Sequence, residues 1–183
     1  MINTMSKKVL VLSGSPRKGG NSDMLCDQFI KGATESGNQA EKIFLRDKEI
    51  NYCIACDGCK RNTGKCVIAD DMAEILEKMI EADVIVMATP VYFYSIDAQM
   101  KTLIDRTYAR YTEIKNKEFY FIITAAVRNK NALDCTLECF RGFTDCLSGA
   151  KEKGVIYGTG AWGKGEIAGT PAMNQAYHYA KNI

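Results

Sequence analysis

A run of small, polar and basic residues follows the first apolar segment of the chain. The segment Ser13–Ser22 reads SGSPRKGGNS and lies between the strand-like run KKVLVLS and a helical pattern. The first N–H groups of a helix have no intrahelical acceptor and the helix dipole is positive there, so this position favours a bound anion. The side chains that could add donors are those of Ser13, Ser15, Arg17, Asn21 and Ser22. The alternative is an ordinary turn and helix cap, because Ser, Gly, Pro and Asn dominate turns.

The spacing of the glycines limits which phosphate compound this segment could hold. Gly14, Gly19 and Gly20 do not form G-x-G-x-x-G, the pattern of dinucleotide-binding loops. They do not form G-x-x-x-x-G-K-[ST] either, so the phosphate loop of the nucleoside triphosphatases is also missing. The sequence therefore favours a terminal monophosphate, such as that of a mononucleotide.

A second loop whose residues could bind a ligand begins at the end of the apolar run DVIVMAT. Its residues are Thr89, Pro90, Val91, Tyr92, Phe93 and Tyr94. Pro90 restricts Thr89 to an extended backbone, which ends the strand, and the three aromatics can form a flat apolar slot for a ring. A hydrophobic loop or a subunit interface would use the same residues, so both remain alternatives.

Four cysteines are concentrated in the loop of residues 51–69. Cys53, Cys56, Cys59 and Cys66 form the pattern C-x2-C-x2-C-x6-C. Structural zinc usually takes two separated C-x2-C pairs, whereas this compact triplet is more typical of iron–sulfur ligation. Empty thiols, disulfides and zinc are the alternatives for this loop.

The other cysteines and the single histidine are expected to have structural roles. Cys26, Cys135, Cys139 and Cys146 recur near apolar residues at helical spacing, so we expect them to border the core. With His178 as the only histidine, Ser-His-Asp catalysis, Cys-His catalysis and histidine-rich metal sites are all disfavoured.

Charge and hydropathy exclude further classes of protein. The 183 residues carry a formal charge of +2 and show no basic stripe interleaved with aromatics, so we expect no nucleic-acid partner. The apolar run Val9–Leu12 is too short for a signal-peptide core or a membrane span. We therefore expect no membrane association and a cytoplasmic location.

Strand-like and helical patterns alternate along the chain. Apolar runs predict strands in KKVLVLS and at Ala40–Leu45, Asp83–Thr89, Glu118–Ala125 and Val155–Tyr157. Helical periodicity predicts helices at Ser22–Ser36, Asp70–Glu81, Ile96–Tyr108, within Asn131–Gly149 and at Thr170–Lys181. Continuous apolar strands joined by helices indicate a five-stranded parallel sheet in a doubly wound three-layer α/β/α sandwich, here one domain over residues 1–183. A ligand is then expected at the carboxyl ends of the strands.

Three segments resemble the NADPH-dependent FMN reductase superfamily, whose fold is flavodoxin-like. They are G-S-P-R-x-x-G-N-S at the first helix, the stretch T-P-V-Y-F-Y-S with M-K and I-D-R after it, and the Gly-rich end Gly158–Pro171. The resemblance implies FMN as cofactor, with its phosphate in Ser13–Ser22 and its ring along Thr89–Tyr94. The four-cysteine loop resembles that of the iron–sulfur flavoprotein subgroup, which implies a [4Fe–4S] cluster on Cys53, Cys56, Cys59 and Cys66.

The resemblance also implies a function. We expect an oxidoreductase whose FMN accepts a hydride from NAD(P)H and passes electrons to a flavin, quinone or similar acceptor, directly or through the cluster. No side chain is assigned a catalytic role, because the cofactor carries the chemistry. The alternatives are an electron-transfer protein reduced by ferredoxin and a non-catalytic binding module. A homo-oligomer, dimer or tetramer, is expected.

Overall fold

Five parallel strands form one sheet in the part of the chain that the structure describes. The computed structural model describes residues 6–183. The strands are β1 Lys8–Ser13, β2 Gln39–Phe44, β3 Val84–Pro90, β4 Glu118–Ala125 and β5 Lys151–Thr159, in the spatial order β2-β1-β3-β4-β5. This order belongs to the flavodoxin-like type of doubly wound sheet and confirms the predicted fold.

Helices cover both faces of the sheet. They are α1 Asn21–Glu35, α2 Gly58–Arg61, α3 Met72–Glu81, α4 Ala98–Arg106, α5 Asp134–Thr144 and α6 Pro171–Lys181. The residues of α1 and α6 pack with one set of strand side chains, and those of α3, α4 and α5 pack with the other. Because successive strand residues point to opposite faces, a strand covered on both faces must be apolar throughout. None of the helices between residues 6 and 183 combines the length and the apolar character needed to cross a bilayer.

The last strand is longer than its sequence predicts. We expected Val155–Tyr157, whereas the observed strand is Lys151–Thr159. It lies at the edge of the sheet, and its first residues, Lys151–Lys153, are exposed, so they carry no apolar signal. A bulge opposite Phe119 and Tyr120 further interrupts the pattern.

Three cysteines in α5 and directly after it are not at the core, which corrects one expectation. Cys135, Cys139 and Cys146 are all exposed, while Cys26 is buried as expected. The buried face of α5 is formed by larger apolar and threonine side chains, among them Leu137 and Phe140. The cysteines flank this face on its solvent side, because helical spacing alone does not fix which edge of an apolar stripe is covered.

The chain changes direction in the sheet between β1 and β3. From β1 it moves outward to β2, returns to β3 on the other side of β1, and then continues to β4 and β5. The loops that follow β1 and β3 therefore leave the same carboxyl edge and diverge, which opens a crevice between them. Both loops singled out by the sequence, Ser13–Ser22 and Thr89–Tyr94, begin at this crevice.

Candidate functional site

Four segments meet around a cavity of about 170 Å³ at the carboxyl edge of the sheet. They are the loops after β1, β3 and β4 and the loop between β5 and α6. The residues that line it are Ser15, Arg17, Gly20, Asn21, Ser22, Pro90, Val91, Tyr92, Thr124, Ala125, Ala126, Ala161, Trp162 and Lys164. The structure thus brings the two predicted loops together and adds two segments to them.

The turn before α1 is held by its own polar groups. The hydroxyl of Ser15 donates to the carbonyl oxygen of Arg17 and accepts from its N–H, both at 3.2 Å. The N–H of Gly19 donates to Oδ2 of Asp23 at 2.8 Å. No side chain caps α1, whose N-cap residue is Gly20. The first N–H groups of α1 are therefore left without a side-chain acceptor beside the cavity, as an anion site requires.

The other predicted donors in this loop have protein partners. The amide nitrogen of Asn21 donates to the carbonyls of Ala161 and Gly163, at 3.3 and 2.9 Å. The Ser22 hydroxyl lies 2.6 Å from that of Thr124. Ser13 is buried at the end of β1 and does not line the cavity. Ser15, Arg17, Asn21 and Ser22 thus reach the cavity wall, but only the guanidinium of Arg17 has no partner among residues 6–183.

The aromatic loop projects its side chains in different directions. Tyr92 and Ser95 exchange backbone hydrogen bonds at 3.2 and 3.0 Å, which closes a tight turn. Phe93 and Tyr94 occupy that turn with positive φ of 48° and 62°. Phe93 is fully exposed and Tyr94 is 63% exposed. Pro90, Val91 and Tyr92 line the cavity, whereas the side chains of Thr89, Phe93 and Tyr94 do not.

Asp97, which sequence reasoning missed, is buried where the two loops meet. Its Oδ1 accepts the N–H of Met100 at 2.8 Å, and its Oδ2 accepts the Thr89 hydroxyl at 3.2 Å. A Cβ on Gly14 would lie 2.5 Å from Oδ2, so only glycine fits there. Burial raises the pKa of Asp97 to about 6, against the lowering effect of its hydrogen bonds from Met100 and Thr89. The one signal in the sequence was an aspartate at the second residue of the predicted helix Ile96–Tyr108, since aspartate near a helix start is typical of an N-cap.

We expect the substitution Asp97→Asn to change stability in a pH-dependent way. Because the folded pKa lies above the unfolded value, ionisation destabilises the folded protein as the pH rises from about 4 to about 6. Asparagine keeps an acceptor for Met100 without the charge. At about pH 7.5 the variant should gain up to about 3 kcal/mol in the free energy of unfolding, and the gain should vanish below about pH 4. Urea unfolding across this range measures it.

The exposed Asp145 provides the matched control for this measurement. Asp145→Asn should change the free energy of unfolding by less than about 0.5 kcal/mol at every pH. A gain for Asp97→Asn that stays constant between about pH 4 and pH 7.5 would contradict the assignment of the buried charge.

A buried ion pair closes the base of the cysteine loop. Nη1 and Nη2 of Arg106 donate to the two carboxylate oxygens of Asp70 at 2.6 and 2.9 Å, with the two side chains 2% and 0% exposed. Nη1 of Arg106 also donates to the carbonyl of Asn51 at 2.6 Å, and the N–H of Asn51 donates to Asp70 at 3.0 Å. Burial raises the pKa of Asp70, but the hydrogen bonds from Arg106, Asn51 and Met72 outweigh it and lower the pKa to about 2.

The four thiols of this loop are spread along it. Cys53 and Cys56 are exposed, and Cys59 and Cys66 are half-buried. Cys66 accepts a hydrogen bond from Nη2 of Arg106 at 3.7 Å. Within residues 6–183, no three Cys, His, Asp or Glu side chains lie close enough together to hold a metal ion. The loop supplies four thiols, but the described conformation does not bring them together.

We expect the pair at the base of the loop to be strongly coupled. Arg106→Met or Asp70→Asn leaves the other group buried without its counter-charge, which should cost about 3–5 kcal/mol in the free energy of unfolding. The double variant should lose clearly less than the sum of the two. Chemical unfolding of the four proteins of this cycle gives the coupling energy.

The exposed pair Lys101–Asp105 on the same helix is the control for this cycle. Its atoms approach to 2.6 Å, but the side chains are 58% and 46% exposed. Lys101→Met should cost about 0.5 kcal/mol or less. If the losses from Arg106→Met and Asp70→Asn simply add, the pair does not close the loop in the way described.

Comparison with known proteins assigns the chain to a family. The sequence matches the family model described as NADPH-dependent FMN reductase over residues 7–138. An iron–sulfur flavoprotein of Methanocaldococcus jannaschii is 49% identical over 100 residues, which are 55% of this chain and 51% of that protein. An iron–sulfur flavoprotein of Archaeoglobus fulgidus is 39% identical over 128 residues, which are 68% of this chain and 62% of that protein.

Solved structures support the same fold. The FMN-dependent NADH-azoreductase from Bacillus anthracis in complex with FMN matches with a TM-score of 0.74 at 17% identity, over 96% of this chain and 98% of that one. At this level of identity the similarity concerns the fold alone.

The fold and the crevice define a flavodoxin-like α/β protein with a candidate ligand site at its switch point. The chain belongs to the NADPH-dependent FMN reductase family. It spans about half the length of the curated relatives it matches. The matched residues 7–138 contain both predicted loops and the four cysteines, but not the loop between β5 and α6.

Proposed function

We propose that the protein is an FMN-dependent oxidoreductase that accepts a hydride from NAD(P)H and passes electrons to a flavin, a quinone or a similar acceptor. The observation that carries this proposal is the cavity at the switch point. There the uncapped start of α1 and the guanidinium of Arg17 face the same space as the apolar wall Pro90–Tyr92. Membership of the family supports FMN as the ligand.

The residues around the cavity fit the two ends of an FMN molecule, its phosphate and its ring. The backbone N–H groups at the start of α1 and Arg17 suit a phosphate, because both are donors with positive charge or partial charge. Pro90, Val91 and Tyr92 suit a flat ring, because they present apolar surface without a buried charge. The cavity of about 170 Å³ is smaller than the roughly 300–1,000 Å³ of pockets that enclose a ligand of this kind, so part of the ring would remain open.

The protein's own residues would bind and orient rather than exchange protons. FMN supplies the redox chemistry, since it accepts a hydride and releases electrons. Asp97 lies beneath the loops and fixes Thr89 and the start of α4, so it positions the wall of the site. His178 is on α6 and does not line the cavity, which agrees with chemistry that needs no imidazole base.

The open side of the cavity supports the expectation of a homo-oligomer, a dimer or a tetramer. Tyr92, Phe93 and Tyr94 are exposed beside the cavity, and Trp162 is 79% exposed on its far wall. A cluster of exposed aromatics of this kind is typical of surfaces that another molecule covers. A second copy of the chain, or the nicotinamide of the electron donor, would cover it.

The test of this function is FMN binding followed by reduction. We expect the purified chain to take up FMN and NAD(P)H to bleach its visible absorption, with steady turnover once a quinone is added. Arg17→Met should weaken FMN binding about tenfold or more, because a hydrogen bond to a charged group contributes about 1.5–3 kcal/mol. Lys18→Met should not, because Lys18 pairs with Asp47 at 2.6 Å and lies outside the cavity wall. A chain that binds no FMN would refute the proposal.

We also propose a [4Fe–4S] cluster on Cys53, Cys56, Cys59 and Cys66. The support is the set of four thiols in one loop and the name iron–sulfur flavoprotein carried by six relatives at 36–49% identity. The scattered thiols of the described conformation mean that the loop must rearrange to hold a cluster.

Iron and sulfide analysis after anaerobic purification tests the cluster. We expect about four irons and four sulfides per chain, and their loss in Cys56→Ser, because a [4Fe–4S] cluster needs four thiolates. Cys135→Ser, an exposed cysteine of α5, is the matched control and should keep the iron. Flavin without iron would refute the cluster and leave the FMN proposal standing. Reduction by ferredoxin without NAD(P)H turnover would favour an electron-transfer protein instead.

A further inference from the structure

The loop of residues 160–169, between β5 and α6, is attached directly to the start of α1. Asn21 makes all the side-chain bonds of this attachment. Its amide nitrogen donates to the carbonyls of Ala161 and Gly163, and its amide oxygen accepts the N–H groups of Gly165 and Ile167 at 3.0 and 3.3 Å. Because both ends of the amide are used, the loop is held as a fixed wall of the cavity.

This attachment places Lys164 beside the turn that precedes α1. A Cβ on Gly19 would lie 3.2 Å from Cε and 3.5 Å from Nζ of Lys164. Lys164 and Arg17 both line the cavity. Neither forms an ion pair with any carboxylate of the described residues, whereas Lys18 pairs with Asp47 and Lys42 with Asp23.

We propose that Lys164 binds the phosphate of the cofactor together with Arg17. This inference rests on the proposed FMN function and deepens it, since it adds a ligand from a segment outside the residues that match the family model. A phosphate monoester carries a charge of about −1.5 to −2 at neutral pH, so one guanidinium and the helix start leave part of it uncompensated. The ammonium of Lys164 supplies the remaining charge.

A consequence is that Lys164 sets the preference for FMN over riboflavin. The two molecules share the ring and the ribityl chain and differ only in the phosphate. A residue that binds the phosphate affects FMN affinity and leaves riboflavin affinity unchanged, whereas a residue that merely supports the wall affects both. The ratio of the two affinities therefore separates a ligand from a structural role.

The test is a titration of the 183-residue chain with FMN and with riboflavin. Trp162 is the only tryptophan, lies two residues from Lys164 and lines the cavity, so quenching of its emission reports occupancy without turnover. Lys164→Met should weaken FMN binding about tenfold or more and leave riboflavin binding within about twofold. Lys164→Arg should keep most of the FMN affinity of the wild type. The decrease of this affinity with rising salt concentration should be no steeper than in the wild type.

Lys151 is the matched control. It is exposed at the amino end of β5, away from the carboxyl ends of the strands, and its side chain has no bond among the described residues. Lys151→Met should bind both flavins as the wild type does. If the wild type prefers FMN and Lys164→Met retains that preference, the inference is wrong and the proposed function stands. If the wild type binds neither flavin, the proposed function itself fails. Equal loss of FMN and riboflavin binding would overturn the ligand role of Lys164.

Discussion

The parallel pairing of β1 with β3 extends one residue beyond the end of β1. The N–H of Gly14 donates to the carbonyl of Ala88 in β3 at 2.8 Å, so the loop after β1 leaves the sheet edge still bonded to the neighbouring strand. Asp97 fills the space below, which a Cβ on Gly14 would occupy. The separation of the turn before α1 from the wall at Pro90–Tyr92 is therefore fixed by backbone contact. Every other part of the site is added to this frame.

The site is also held by hydrogen bonds of polar side chains that lose hydration when the chain folds. Asp97 is held in a place where its charge is disfavoured, because burial raises its pKa to about 6. Asn21 uses its whole amide to hold the loop after β5. Such groups give up hydration for position, and a buried polar group is tolerated only when its partners are all in place.

The sequence was informative where structure depends on neighbours along the chain. The five strands and the helices of the sandwich follow from apolar periodicity, and the two loops at the switch point follow from their position after β1 and β3. The full extent of β5 was missed, because exposed edge residues such as Lys151 carry no apolar pattern. The exposure of Cys135 and Cys139 was missed because periodicity leaves the rim of an apolar stripe undetermined.

The partners of polar side chains could not be predicted for a related reason. Asn21 and Arg17 are both suited to an anion, but only the folded chain shows that Asn21 meets the carbonyls of Ala161 and Gly163. Arg106 and Asp70 are 36 positions apart, and no local signal joins them. Lys164 follows from no motif, since its position depends on the contact between two loops distant in sequence.

The ion pair of Arg106 and Asp70 gives the cysteine loop an independence from the rest of the fold. Asn51 and Asp70, at the two ends of this loop, are bonded to each other and to Arg106. The residues between them therefore form a closed loop on the α/β sandwich. Lengthening a ring of this kind changes its closure entropy only slowly, by about 0.6 kcal/mol for each doubling. The insert can therefore gain, lose or respace its thiols over evolution while β1, β3 and the cavity keep their geometry.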